Sequence, residues 1–166
     1  HGFAGYHFDI QEAHQLGTAK VKDLSQANNI RLSAWGFPTE FRQDETRYRN
    51  DLLALPALAK TASDIGVFRT ATWMMPCSDE RTYRENFEFN YKRLKPAAEI
   101  LLHYGIRLGL EYVGPKTLWT TKRYPFIHTM KEMLELCGAL GPNVGLLIDS
   151  FHWFTSHETT DDIKNL

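Results

Sequence analysis

Two carboxylates close apolar runs in this chain. Glu111 ends Ile106-Arg107-Leu108-Gly109-Leu110-Glu111, and Asp149 ends Val144-Gly145-Leu146-Leu147-Ile148-Asp149, which continues into Ser150-Phe151-His152. Each run follows a helical stretch and a glycine-containing turn, Tyr104-Gly105 or Gly141-Pro142-Asn143, so both read as buried parallel strands. Side chains alternate along a strand, which puts Gly109 and Glu111 on one face and likewise Gly145, Leu147 and Asp149. Each acid stands five residues beyond the first residue of its run. The two are therefore expected at the same height, on neighbouring strands ~4.8 Å apart. Carboxylates that close repel unless they share a proton or a cation. One hard divalent metal answers this. Mn heads the candidates because it takes both carboxylate and imidazole, with Mg, Co and Zn behind it.

The elements that must carry these acids repeat along the chain as strand, turn, amphipathic helix, turn. Strands are expected at Gly5 to Ile10, Ile30 to Trp35, Val67 to Trp73, Ile106 to Tyr112 and Val144 to Asp149. Helices are expected at Gln11 to Gln26, Asp44 to Ile65, Tyr83 to Tyr104 and Pro125 to Leu140, with a last one starting near Thr160. Pro56 should bend the second helix, and Pro96 should kink or restart the third. Such alternation implies an α/β fold with a parallel sheet, open or closed into a barrel. No glycine-rich dinucleotide fingerprint or phosphate loop argues for the open form. Five units are too few for a (β/α)8 TIM barrel, which takes ~250 residues. The chain begins at His1 and ends at Leu166 within an incipient helix, so residues 1–166 are expected to be one partial barrel domain of about five βα units.

Composition narrows the function. The formal charge is -1, with basic and acidic residues interspersed, so the electrostatic footprint of a nucleic-acid binder is missing. No apolar run approaches the ~20 residues that cross a bilayer, and no signal peptide is read at the start. Cys77 and Cys137 do not make a disulfide framework, and a cytoplasmic setting without membrane association is expected. Cys77 follows a strand end, but packing is the simpler role for its thiol.

The segments Leu108-Gly-Leu-Glu-Tyr-Val-Gly-Pro115 and Asn143-Val-Gly-Leu-Leu-Ile-Asp-Ser-Phe-His152 resemble the xylose-isomerase-like barrels, within them the sugar phosphate isomerase/epimerase group. The resemblance covers the whole chain, weakly at Gly2 to Asp9. It implies that the chain carries strands 2 to 6 of the barrel. It also implies one divalent metal held by Glu, Asp, His and Glu from the last four strands, with Glu111 first and Asp149 second. The other two ligands would lie on strands outside this chain, and the last Glu would share proton transfer with Glu111. His152 matches the family position that contacts substrate oxygens. His7 ends the first strand, where members often carry a carboxylate, and a pocket role is expected for it. Trp35, Trp73 and Trp153, at or just past strand ends, are candidate apolar walls for a sugar ring.

The implied chemistry is isomerisation or epimerisation of a sugar or sugar phosphate. The metal polarises a carbonyl and stabilises an enediolate while a carboxylate moves the carbon-bound proton. An inosose-type polyol dehydratase would use the same machinery. A truncated, non-catalytic barrel segment with a binding or assembly role is the alternative outside enzymology, and two ligands with half an acid/base pair could not turn over alone. The related apurinic endonucleases draw zinc-binding histidines from earlier strand ends, but those loops here read Trp35-Gly-Phe-Pro38 and Trp73-Met-Met-Pro76. The resemblance also allows a homo-oligomer built through barrel helices. By itself, a carboxylate at a strand end is as readily a helix cap as a ligand.

Overall fold

A computed structural model describes residues 4–42 and 44–166. Gly2 and Phe3, at the start of the weaker stretch of resemblance, lie outside the described residues. Five parallel strands form one sheet: β1 (Gly5–Phe8), β2 (Arg31–Gly36), β3 (Arg69–Trp73), β5 (Arg107–Glu111) and β7 (Val144–Leu146), in that spatial order. They are the five strands expected from the sequence, shortened at their ends except that β2 runs one residue past Trp35, to Gly36. Between them run α1 (Ile10–Leu16), α2 (Thr18–Ala27), α3 (Glu45–Ile65), α4 (Tyr83–His103) and α6 (Met130–Leu140).

One sheet face carries the core. Leu108 and Leu110 of β5 are buried against the helices together with Leu55, Ala59, Leu94, Ala97 and Leu136. The opposite face bears small residues, Ala71 of β3 paired with Gly109 of β5 and Gly109 with Gly145 of β7. A Cβ on Gly109 would stand 3.3 Å from that of Leu147 and 3.4 Å from that of Ala71, so this inner face is closely spaced.

Several expected boundaries move for local reasons. The first helix divides at Gly17, whose φ of 82° breaks the run into α1 and α2. Helices α3 and α4 continue through Pro56 and Pro96, so Pro96 does not restart a helix. Each proline removes one backbone donor, while the flanking turns stay packed on the sheet. Helix α6 starts at Met130 instead of Pro125, because Pro125 belongs to a short strand β6 (Tyr124–Pro125) that pairs antiparallel with β4 (Cys77–Ser78). This bridge ties the loop after β3 to the loop after β5. A capping box at Thr129 and Glu132 then sets the true helix start. Two short helices were not anticipated: α5 (Lys116–Trp119) and α7 (Ser150–Thr155), while α8 (Thr160–Lys164) falls where the last helix was expected. No helix among the described residues is long and apolar enough to cross a membrane. Cys77 and Cys137 are both free and buried, and burial pushes the Cys137 thiol up to about 12.

Candidate active site at the carboxyl ends of the strands

Glu111 ends β5 on the inner face, beside Trp73 of β3 in register, and its carbonyl accepts from the Met74 N–H at 2.8 Å. The register with β7 corrects the expected height of Asp149. Leu108 pairs with Val144 and Leu110 with Leu146, so Glu111 stands opposite Leu147 and Asp149 lies two residues further along. Asn143 sets this offset: its carbonyl accepts from Leu108 N at 2.9 Å and its side-chain amide donates to Ile106 O and Ala98 O. Val144 is thereby aligned with Leu108, two residues past the Ile106 that sequence counting makes its equivalent. The ladder ends at Leu146, and Asp149 sits past it on a non-strand segment.

Asp149 is the N-cap of α7. Its Oδ1 accepts from the backbone N–H of Phe151 at 2.7 Å and of His152 at 3.3 Å. Its Oδ2 has no hydrogen bond among the described residues, so one oxygen stays free for a ligand. The cap turns the chain back over β5 and brings His152 Nε2 to 4.0 Å from Glu111 Oε1. That is within ion-pair range and beyond a hydrogen bond. His152 Nδ1 is buried without a partner. The Glu111 carboxylate likewise receives no hydrogen bond from the described residues. Burial holds it above its ordinary pKa; His152 opposes that shift and the charge of Asp149 adds to it.

Three residues that sequence reasoning gave no role seat α7. Gly114 has no room for a side chain: a Cβ there would meet His152 O at 2.3 Å and Ser156 Oγ at 2.4 Å. The glycine in Glu111-Tyr-Val-Gly114 was a visible signal, since close backbone approach calls for this residue. Glu158 accepts from Met130 N at 2.6 Å and from the Tyr112 hydroxyl, and Ser156 Oγ donates to His128 O at 2.8 Å. These span 28 to 46 residues and leave no local trace in the sequence.

The aromatic candidates separate. Trp73 is 43% exposed at the mouth, with the Arg42 guanidinium 4.5 Å over its ring. Trp35 is fully buried and offers no wall to a ligand. The reason is a bulge in β2: Tyr6 pairs with Leu32 but His7 with Ala34, so the skipped Ser33 reverses the alternation and turns Trp35, paired with Phe8, toward the core. Trp153 packs against the core and donates to Thr159 O at 3.2 Å, which fixes the turn after α7 instead of facing the mouth. His7 is exposed at the end of β1 in a small cavity of about 350 Å³ shared with Gly36 and Pro38. Three strand spacings, ~14 Å, separate β1 from β5. The structure therefore gathers Glu111, Asp149, His152 and Trp73, and leaves His7 apart.

As a metal site this set is partial. Among the described residues no group of three His, Cys, Asp or Glu side chains is placed to hold an ion. Glu111 and the free oxygen of Asp149 are hard donors that fit a divalent cation as two members of a larger shell.

The family model described as xylose isomerase-like TIM barrel matches residues 1–165. No curated protein matches the chain. Among solved structures, a xylose isomerase domain protein from Alicyclobacillus acidocaldarius subsp. acidocaldarius is 31% identical, with a TM-score of 0.88 over 99% of this chain and 60% of that one. The IolI protein with a bound zinc atom is 19% identical, with a TM-score of 0.72 over 100% of this chain and 60% of its own. A D-psicose 3-epimerase in the presence of D-fructose is 13% identical, with a TM-score of 0.71 over 97% and 58%. The last two share the fold. The chain spans about 60% of the length of the structures it matches. A five-stranded parallel sheet with acids at its carboxyl edge, matched along its whole length by one family, makes this chain a partial barrel of the xylose isomerase-like TIM barrel family.

Proposed function

We infer that the intact protein is a metal-dependent isomerase or epimerase of a sugar or sugar phosphate, with Glu111 as a proton-transferring carboxylate and Glu111 and Asp149 as two of the metal ligands. The observation that carries this reading is the state of Glu111. It is a half-buried carboxylate at the functional edge of a parallel sheet, held above its ordinary pKa by burial and left without a hydrogen bond from the described residues. Burial of a charge without compensation is costly, and such sites are where chemistry is done. Two fold neighbours, a D-psicose 3-epimerase and an IolI protein that holds a zinc atom, point the same way.

A divalent cation, when bound, supplies polarisation of adjacent substrate oxygens. The residues of the chain do the rest. Glu111 takes or returns a carbon-bound proton, a task its raised pKa suits. His152, 4.0 Å away, donates to a substrate hydroxyl or carbonyl oxygen. Asp149 keeps α7, and with it His152, over the strand end, while Trp73 excludes water from one side.

The test is elemental analysis of the purified intact protein beside its Glu111→Gln, Asp149→Asn double variant. Deuterium exchange from solvent into ketose substrates is followed by NMR in parallel. Stoichiometric divalent metal and deuterium incorporation in the wild type, both lost in the variant, are expected. Absence of metal after incubation with excess Mn²⁺ would overturn the reading.

A further inference from the structure

A second cavity, of about 640 Å³, opens beside the mouth. Trp73 lines it and is also the register partner of Glu111, so the cavity begins one strand away from the proposed proton-transfer group. Its size falls within the ~300–1,000 Å³ typical of small-molecule sites.

Two asparagines of α4 line it, Asn86 at 7% exposure and Asn90 at 5%. The Asn90 amide donates to Asn86 O at 2.8 Å and to Asn86 Oδ1 at 3.1 Å. This leaves the Asn86 N–H groups and the Asn90 amide oxygen without a protein partner among the described residues. These atoms reach the cavity from side chains that are otherwise buried and held in place, so they offer donors and an acceptor to a ligand that supplies both.

The balance of charges in the lining disfavours an anion as that ligand. Arg42, Arg81 and Lys122 line it together with Glu40, Asp79 and Glu80, so the net charge is near zero. Arg42 is engaged: it lies 3.6 Å from Glu40, donates to Thr72 Oγ1 and Trp73 O at 2.6 Å each, and stacks between Phe41 and Trp73. Arg81 lies 3.6 Å from Glu80 and 3.9 Å over the Phe89 ring. A phosphate would have to displace these carboxylates. What remains is neutral amide donors and an acceptor beside a partly exposed indole, the chemistry that binds hydroxyls on one side and a C–H face on the other.

We propose that this cavity is a subsite for the second, uncharged ring of a glycoside whose reacting sugar sits against Glu111. The substrate class is therefore larger than a monosaccharide. The proposal rests on the isomerase reading only for what lies next to the cavity.

The test is calorimetric titration of the Mn²⁺-incubated whole protein with glucose and fructose against maltose, cellobiose and sucrose. At least one disaccharide is expected to bind about tenfold tighter than either monosaccharide. Asn86→Ala and Asn90→Ala should each erase that excess while monosaccharide affinity stays unchanged. Hydrogen exchange on the wild type needs no variant: the disaccharide should protect residues 77–90 and the monosaccharide should not. Equal affinities for single and double rings, or no protection of that segment, would overturn the proposal. The Glu111→Gln, Asp149→Asn variant keeps the two failures apart. If it retains the disaccharide excess while the wild type holds no metal, the cavity stands and the isomerase reading falls. Metal and deuterium exchange without any disaccharide excess give the reverse.

Discussion

Two charges drawn into this molecule, one buried and one half-buried, are treated in opposite ways. Arg93 of α4 is saturated: its guanidinium donates to Phe41 O at 3.0 Å and to Glu45 at 2.7 Å, and it lies over the rings of Tyr48 and Phe89. Tyr48 in turn donates to the Arg93 carbonyl at 2.9 Å. Glu111, half-buried at the mouth, has one imidazole at 4.0 Å and no hydrogen bond from the described residues. The first arrangement pins the loop before α3 to α4. The second keeps a carboxylate at a cost to stability, as the role proposed for Glu111 requires. Compensation separates a structural charge from a functional one; burial alone does not.

The largest effect should come from breaking the saturated side. Arg93→Met leaves the Phe41 carbonyl without its partner and empties the space between the Tyr48 and Phe89 rings, while Glu45 keeps its pair with Arg49, and urea unfolding should show a loss of about 2–3 kcal/mol. Next is the seat of the other side. Gly114→Ala places a methyl within 2.3 Å of His152 O, so backbone must shift. A loss of about 1–3 kcal/mol is expected, together with a changed His152 ring signal in NMR.

Glu111→Gln should have the opposite sign. In metal-free protein the variant should be more stable than wild type by no more than about 1 kcal/mol at neutral pH, since the mouth is open to solvent. The pH dependence follows from the raised folded pKa. The native state holds the Glu111 proton more tightly than the unfolded chain does, so the stability that proton contributes is complete below the unfolded value near 4.5 and is lost as pH rises through the folded value. The advantage of the glutamine should therefore be absent in acid and open as pH climbs. A thermal melt series that shows no such opening would remove the contrast with Arg93.

The smallest effect separates the two roles of Asp149. Asn caps helices as well as Asp, so Asp149→Asn should change stability by less than about 0.5 kcal/mol while lowering Mn²⁺ affinity in calorimetry. Asp149→Ala should lose the metal and about 1 kcal/mol besides.

Much of this site was legible from residue order because the rules that place it are local. Alternation along a strand puts Glu111 on the inner face, and an apolar run ended by an acid after a glycine turn marks the carboxyl edge. The strand order β1-β2-β3-β5-β7 follows from repeated strand and helix units. Where the reading missed, distant residues had decided. Counting from the start of each run put the two acids level, but the Asn143 hydrogen bonds slide β7 by two residues. Trp35 looked like a pocket wall, but the bulge at Ser33 turned it into the core.

What the sequence by itself determined is therefore the set of βα units, the face that Glu111 takes and the type of chemistry two such acids invite. These depend on the period of a strand or helix and on the donor atoms of a side chain, which neighbours in sequence dictate. The tertiary structure alone decided the height of Asp149, its double use as cap and candidate ligand, and the approach of His152 to Glu111. Gly114, Ser156 and Glu158 hold that approach through contacts 28 to 46 residues apart, and the cost of burying a charge is paid or left open only once those contacts form.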